Sequence, residues 1–365
     1  MASASNAPAC PQRRRGRDDE RQLHEACVRL YAAAEQIARS PSPAAAGSAD
    51  PELLMSWRHP APVPGIAVSP ENVLAAAAWD GRVALYDLEH WRNLDPLEAP
   101  DDGTQDPVDR GFVAAAFLPA APHHLALAVG REVQLWNPKG ERRRLLASCG
   151  HGARVAGLDV HGELGMLASA GEDGRALLWD QQGQRRVREL GCSGAPLACC
   201  RFLGAPLSFV LAAAGLDGSV RAWDIRQPRQ LRCMEGAAAV RCLACHAGAH
   251  LLAAGSDDGS VASWDVRTWG ELPRRDLRSM LGSPHATARS LAVSPQGTFL
   301  AAGCIEGELL VFDLERRDRC FKVLHHSDAV ASLAWGGPLG WASSPDFLAC
   351  ASLDGSWSCW RCSGL

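Results

Sequence analysis

Residues 166–182 read MLASAGEDGRALLWDQQ, and this stretch decides the fold. Two short apolar runs flank Glu172-Asp173-Gly174. Asp-Gly between β-patterned runs is a strong hairpin signal, because a tight turn needs a residue that tolerates positive φ. The pattern returns six more times: VLAAAAWDGRVALYDLE from Val73, LALAVGREVQLWNPK from Leu125, VLAAAGLDGSVRAWDIR from Val210, LLAAGSDDGSVASWDVR from Leu251, FLAAGCIEGELLVFDLE from Phe299 and FLACASLDGSWSCWRCS from Phe347. An aromatic stands five residues after each turn glycine or its equivalent. These are Tyr86, Trp136, Trp179, Trp223, Trp264, Phe312 and Trp360, at intervals of 41 to 50 residues. Seven units with one fixed internal offset define a repeat, and the repeat predicts an all-β protein.

The units resemble the WD-repeat family, whose repeats are four-stranded blades of about 40–45 residues. The resemblance covers residues 53–365 and implies a seven-bladed β-propeller. It also implies a hydrogen-bonded set inside a blade, which the third repeat matches with His151, Ser169, Asp173 and Trp179. The seventh offers His326, Asp354 and Trp360, with Cys350 in place of the hydroxyl. The second has Gly130-Arg131 where Asp-Gly is expected, and the sixth has Glu306 and Phe312. Those two blades are expected to lack the network and rest on packing. The last repeat ends soon after Trp360, so its blade lacks an outer strand. The apolar stretch Leu53–Trp57 is expected to supply it, sealing the ring and protecting sheet edges.

Ahead of the repeats, residues 1–17 are polar and carry Arg13, Arg14, Arg15 and Arg17. They read as a disordered basic tail, with nuclear import as the alternative to a solvated run. Residues 18–39 read as an amphipathic helix: Asp18 caps it, and Leu23, Cys27, Leu30, Ala34 and Ile37 recur at spacings of three and four. Residues 40–52 form a Pro/Ala/Gly/Ser linker.

Of the 365 residues, 47% are hydrophobic and 21% charged, which favours a folded core. The net charge of −4 gives no general pull toward nucleic acid or anionic membrane. Lys139 and Lys322 are the only lysines, and the arginine excess reads as coding bias. No apolar run is long enough to span a bilayer, and no apolar h-region marks a secretory signal. The expected setting is cytoplasmic and/or nuclear. There most of the fourteen cysteines, such as Cys200, Cys245, Cys304 and Cys350, act as small core hydrophobes.

Nothing in the chain carries a recognised catalytic motif. Gly191-Cys192-Ser193-Gly194-Ala195 lacks the final glycine and the strand–turn–helix setting of a nucleophile elbow. Cys242/Cys245 and Cys359/Cys362 have Cys-x-x-Cys spacing, but residues three apart on a strand point to opposite faces, and zinc needs four converging ligands. His123-His124 and His325-His326 read as loop residues before strands. The turn aspartates read as groups satisfying their own backbone. No enzyme activity, cofactor or metal is expected, and no nucleic acid, since the arginines are dispersed and no aromatic–basic alternation is present.

Two candidate interaction faces remain. The residues before each turn Asp or its equivalent are Trp79, Val129, Glu172, Leu216, Asp257, Ile305 and Leu353. Five are apolar, and they are expected at hairpin tips on the channel rim, where exposed apolar clusters mark partner sites. On the opposite face, Trp223-Asp224-Ile225-Arg226 and Trp264-Asp265-Val266-Arg267 resemble the box of cullin-RING ligase substrate receptors. That resemblance implies adaptor docking by Arg226 and Arg267. The function expected is a non-catalytic protein-interaction scaffold. It is either a cullin-RING ligase substrate receptor or a structural subunit of a stable assembly such as a nuclear-pore or trafficking complex.

Overall fold

The computed structural model describes residues 52–90, 92–98, 111–118, 121–137, 144–145, 150–180, 185–191, 194–205, 207–227, 229–316, 320–324, 326–337 and 347–361. The expected tail, the helix over 18–39 and nearly all of the linker lie outside these residues, as do His325, Cys362 and part of the 191–195 stretch. The described fold lies within the unit 49–365.

Seven four-stranded antiparallel sheets follow one another along the chain. Blade 1 runs Gly65–Val68, Val73–Ala77, Arg82–Asp87 and Arg92–Glu98, and blade 2 Phe112–Leu118, Ala121–Val129, Glu132–Trp136 and Arg144–Leu145. Blade 3 runs Val155–His161, Met166–Gly171, Arg175–Asp180 and Arg185–Gly191, and blade 4 Leu197–Phe202, Val210–Gly215, Ser219–Asp224 and Gln230–Glu235. Blade 5 runs Val240–His246, Leu251–Ser256, Ser260–Asp265 and Gly270–Asp276, and blade 6 Ala288–Val293, Phe299–Cys304, Glu308–Asp313 and Cys320–Leu324. Blade 7 takes Val330–Gly336, Phe347–Ser352 and Ser356–Arg361 from the C-terminal end and Glu52–Arg58 from the N-terminal side. The closing pairs include Leu53↔Trp360 and Trp57↔Trp357, and His59 N–H adds a bond to the Gly355 carbonyl at 2.6 Å. The innermost strands of successive blades adjoin one another, and that of blade 7 returns to that of blade 1. The result is a closed β-propeller.

The repeat's alanines have a packing reason. Second strands such as Val210–Gly215 are buried along their whole length, covered by the blades on both sides. Small side chains let those neighbours approach, while Leu, Val and the aromatics fill the wider space farther out. Fourth strands face water on most positions, as in Gln230–Glu235.

In six of the seven blades the hairpin between the second and third strands is held twice. The turn glycine takes positive φ, from 77° at Gly174 to 89° at Gly307. In six blades the N–H of the residue before the turn Asp or Glu also donates to a carbonyl just ahead of that blade's first strand. Trp79 bonds Pro62, Glu172 bonds Arg154, Leu216 bonds Pro196, Asp257 bonds Ala239, Ile305 bonds Thr287 and Leu353 bonds Ala329. Blade 2 departs from this scheme: its hairpin is one residue shorter, with Val129 paired to Glu132 around Gly130-Arg131.

Neighbouring blades are stitched by side chains of the innermost strands. Asp159 Oδ2 accepts from Phe202 N–H at 2.6 Å, and Arg201 Nη1 donates to the Leu158 carbonyl at 3.0 Å. Cys245 Sγ reaches the Phe202 carbonyl, Ser290 Oγ that of Val330, and Trp335 Nε1 that of Ala292. Ser332 Oγ accepts from Ile66 N–H across the junction of blades 7 and 1.

Among the described residues there is one helix, Leu277–Leu281, between blades 5 and 6. Asp276 caps its start by accepting from Arg278 N–H, and Gly282 ends it at φ 67°. No apolar periodicity announced so short a turn. No helix among the described residues is long and apolar enough to cross a membrane.

Candidate interaction faces

Consecutive strands of a blade run antiparallel, so the Asp-Gly hairpins share one end of the ring. The loops between first and second and between third and fourth strands share the other. The first end is the hairpin face and the second the loop face.

On the hairpin face, five turn aspartates act alike. The Oδ1 of Asp80, Asp173, Asp217, Asp258 and Asp354 each accepts from the N–H two residues on, at 2.7 to 3.1 Å. In blade 3, His151 Nδ1–H donates to Asp173 at 3.0 Å, and its Nε2 accepts from Ser169 Oγ at 2.8 Å. Trp179 Nε1–H donates to the same hydroxyl at 2.9 Å. The His151 side chain is fully buried. Burial therefore lowers its pKa below the ordinary 6.5, despite the nearby carboxylate. For Asp173, burial pulls upward, but the His151 and backbone donors outweigh it and hold its pKa below 3.8.

Blade 7 replaces the missing hydroxyl from a different strand. Ser358 lies directly across from Cys350 and takes both roles. Its Oγ meets His326 Nε2 at 3.0 Å and accepts from Trp360 Nε1–H at 2.9 Å. His326 reaches Asp354 through Ser356 Oγ, 2.8 Å from Nδ1. The position two before the repeat aromatic does similar work elsewhere. Gln134 Oε1 accepts from Trp136 Nε1–H at 3.1 Å in blade 2, and Arg221 Nη2 binds Asp217 in blade 4. Blade 2 thus keeps one indole hydrogen bond that the motif comparison did not foresee. The signal was present in sequence as a polar residue at an otherwise apolar position.

The seven tip residues are not equivalent. Trp79 is 43% exposed and Ile305 48%. Leu216 and Leu353 are half-buried, and Glu172 is exposed. The Asp257 carboxylate is gripped by Arg241 through Nε at 2.9 Å and Nη2 at 2.7 Å. Val129 corrects the sequence expectation: the shorter hairpin places it inside the sheet, 7% exposed, packed with Phe112 and Trp136. His123 and His124 also differ from their expected loop position, since both fall within the strand Ala121–Val129.

On the loop face, Arg226 and Arg267 are each about 60% exposed. Each folds back on the aspartate two residues earlier. Arg226 Nε and Nη2 donate to Asp224 at 2.9 and 2.7 Å, and Arg267 Nε and Nη2 donate to Asp265 at 3.0 and 2.6 Å. The Arg267 hydrogen bonds hold the Asp265 pKa at about 2. The fork that would grip a partner carboxylate is therefore already occupied within the chain.

Cys242 and Cys245 point to opposite faces, one toward Ala288 of blade 6 and the other toward Phe202 of blade 4. Burial pushes the Cys245 thiol up to about 12, which suits a core hydrophobe. No group of three or more metal-capable side chains converges among the described residues.

Comparison with known proteins bears on this arrangement. Residues 143–180 and 318–361 match the family model described as WD domain, G-beta repeat. The fold is a seven-bladed β-propeller, and these two stretches of it match the WD repeat. Residues 231–338 of this propeller also match the model described as Nucleolar protein 10-like, N-terminal domain. The propeller is similar to a protein named ribosome biogenesis protein WDR12 homolog, from Chlamydomonas reinhardtii. Identity is 25% over 329 residues, spanning 76% of this chain and 68% of that one. It is also 25% identical over 305 residues to telomerase protein component 1 of Mus musculus, covering 80% of this chain but 10% of the mouse protein.

Proposed function

We propose that this propeller is a non-catalytic docking platform, a structural subunit of a stable multiprotein assembly of the ribosome-building kind, working in the nucleus. The observation that carries the reading is the hairpin face. Trp79 and Ile305 stand exposed on a ring whose hairpins are pinned by backbone bonds, so apolar anchors are presented without an ordering cost. The likeness to a nucleolar domain and to a ribosome biogenesis protein supports this kind of assembly and a nuclear setting. A cullin-ligase role finds less support, because Arg226 and Arg267 already hold their own aspartates.

The test is affinity purification of the tagged full chain with quantitative mass spectrometry, beside a Trp79→Ala/Ile305→Asp double variant. Ribosome assembly factors should co-purify at fixed stoichiometry with the wild type. They should fall at least tenfold with the variant while its melting temperature is unchanged. Recovery of a cullin-ligase adaptor in their place, undisturbed by the variant and abolished by Arg226→Ala/Arg267→Ala, would sink the proposal.

A further inference from the structure

Three consecutive hairpin tips, on blades 6, 7 and 1, join into one arc of the hairpin face. Gly307, in the blade 6 hairpin, lies so close to the carbonyls of His326 and Asp328 that a Cβ would not fit there. Residues 326–329 lead on to blade 7. There Ser352 Oγ donates to the Asp328 carbonyl at 3.0 Å, and Leu353 N–H to that of Ala329 at 3.0 Å. The blade 7 hairpin in turn meets the stretch that leads into blade 1. Gly355 lies against the carbonyls of His59 and Ala61, and His59 N–H bonds the Gly355 carbonyl. From this stretch the Pro62 carbonyl accepts from Trp79 N–H at 3.0 Å. Ile305, Leu353 and Trp79 thus stand on one surface, tied together through the backbone.

Apolar side chains and carboxylates alternate along the arc. Glu306 follows Ile305, Asp354 follows Leu353, Asp80 follows Trp79, and Asp328 lies between the first two tips. The five segments 59–62, 79–80, 305–307, 326–329 and 353–355 hold these four acids and no lysine or arginine. The bases that border them belong to other strands. Arg289 is on the innermost strand of blade 6 and Arg58 on the outermost strand of blade 7. Arg82 pairs with Glu98, and Lys322 faces Glu308. The remaining four blades turn about Arg131, Glu172, Leu216 and Asp257, of which one is apolar.

Three of the four carboxylates are open to a partner. Glu306 and Asp328 are exposed, and neither has an ion pair among the described residues. Asp328 accepts from Ala329 N–H at 2.7 Å through Oδ1 alone. Asp80 accepts from Arg82 N–H with Oδ1 and keeps Oδ2 for solvent and for His59 Nε2, 3.8 Å away. Asp354, by contrast, uses both oxygens within its blade, on Ser356 and Ser327. Trp79 is steadied on one edge, since a Cβ added at Gly111 would lie 3.4 Å from its Cδ1. Its exposed ring stands beside the Asp80 carboxylate, and an electron-rich face next to an anion attracts a cation.

We propose that this arc receives a basic, apolar-anchored segment of a partner protein: large aliphatic or aromatic side chains against Ile305, Leu353 and Trp79, with arginines or lysines between them. The inference rests on the docking reading above and adds the chemistry of what docks. Guanidinium groups make charge-assisted bonds to Glu306 and Asp328, and one stacks on Trp79 beside Asp80. The apolar tips supply the anchoring burial. The open carboxylates repel an acidic segment and a phosphate backbone alike, so they select the partner as well as hold it.

The experiment selects from a displayed library of random peptides on the immobilised full chain. The most enriched peptide is then made with a fluorescein label, and its binding is followed by anisotropy at low and high salt. Enriched peptides should carry more arginine and lysine than acid, together with large apolar residues. Asp80→Asn/Glu306→Gln/Asp328→Asn removes three charges while keeping an acceptor oxygen for each turn N–H. It should weaken binding by about tenfold or more at low salt and flatten the salt dependence. Trp79→Ala/Ile305→Asp should weaken binding by about tenfold or more at both salts. The control Glu163→Gln/Glu172→Gln/Glu235→Gln changes net charge equally and should bind as the wild type does. Unaltered melting temperatures show that the variants are folded, and Glu306→Gln alone, at an exposed side chain, gives a smaller loss of the same kind should the triple variant unfold. Acidic or uncharged peptides that are still lost with Trp79→Ala/Ile305→Asp would overturn this partner chemistry and leave the docking platform standing. Equal losses in the neutralised arc and in the control would overturn the arc as the site. If no peptide is enriched, or the enriched ones ignore Trp79→Ala/Ile305→Asp, the docking reading falls and this inference with it.

Discussion

A single hydroxyl shows how this propeller tolerates drift in its repeat. In blade 3 Ser169 sits on the second strand and joins His151 to Trp179; in blade 7 the equivalent position is Cys350, and Ser358 on the facing strand does the joining. Ser358→Ala should therefore cost about 1–3 kcal/mol, the penalty for orphaning buried donors. Cys350→Ala, which removes a weak sulfur contact, should cost less. Urea denaturation of both checks the order, and the reverse order would return the network role to Cys350. The buried His151 also sets a pH dependence. His151 is held below 6.5, so the unfolded chain takes up its proton before the native one does. Its contribution is full above pH 6.5 and is lost as pH falls through the native value, at most about 1.4 kcal/mol per pH unit for one proton. Asp354 is depressed to about 2 by its donors Ser356 and Ser327, against the pull of burial. Its contribution is present above 3.8 and disappears toward pH 2. Stability measured from pH 8 to 3 should fall in two stages, and His151→Gln should flatten the upper one.

At the scale of elements, the strand Glu52–Arg58 is the test case. Nothing in it matches the repeat; it was legible because the last repeat is one strand short and an apolar stretch precedes the first. It covers Ser356–Arg361, whose outer edge would otherwise offer unpaired backbone groups. Deleting residues 1–58 should lower the melting temperature sharply and promote aggregation, whereas deleting residues 1–45 should leave it unchanged. Equal melting of the two would mean that closure does not depend on this strand. Other elements were less legible for identifiable reasons. The helix Leu277–Leu281 has one turn and a single buried side chain, too little for a periodic signal. Val129 was misplaced because the hairpin of blade 2 is one residue shorter, which moves a tip residue into the ladder. The hairpin face was thus readable in outline, since its position follows from the Asp-Gly turns. Which tips stay exposed depends on neighbouring loops, and the joining of the blade 6, 7 and 1 tips depends on the close approach of Gly307 and Gly355 to the next blade.

The propeller is a ring, and a ring should unfold differently from an open array. In a linear stack of repeats a terminal unit can detach while the others stay folded, because it loses only one neighbour. Here every innermost strand has a blade on each side, and several of the junctions are tied by side chains. Releasing one blade breaks two interfaces and opens edges on both sides, so partial unfolding is costly and a single transition is expected. Asp159 tests this at the junction of blades 3 and 4. Its carboxylate accepts from Phe202 N–H and faces Arg201 at 4.0 Å. Asp159→Ala leaves a buried N–H and a cation without their partner, at a cost of about 1–3 kcal/mol. In a closed ring that local loss should lower the midpoint of the whole transition without splitting it. Tryptophan fluorescence and far-ultraviolet circular dichroism should remain superimposable in urea, with an unchanged m-value. If the two signals separate, with one transition matching blades 3 and 4 alone, the blades fold as independent neighbours and the ring contributes nothing to their cooperativity.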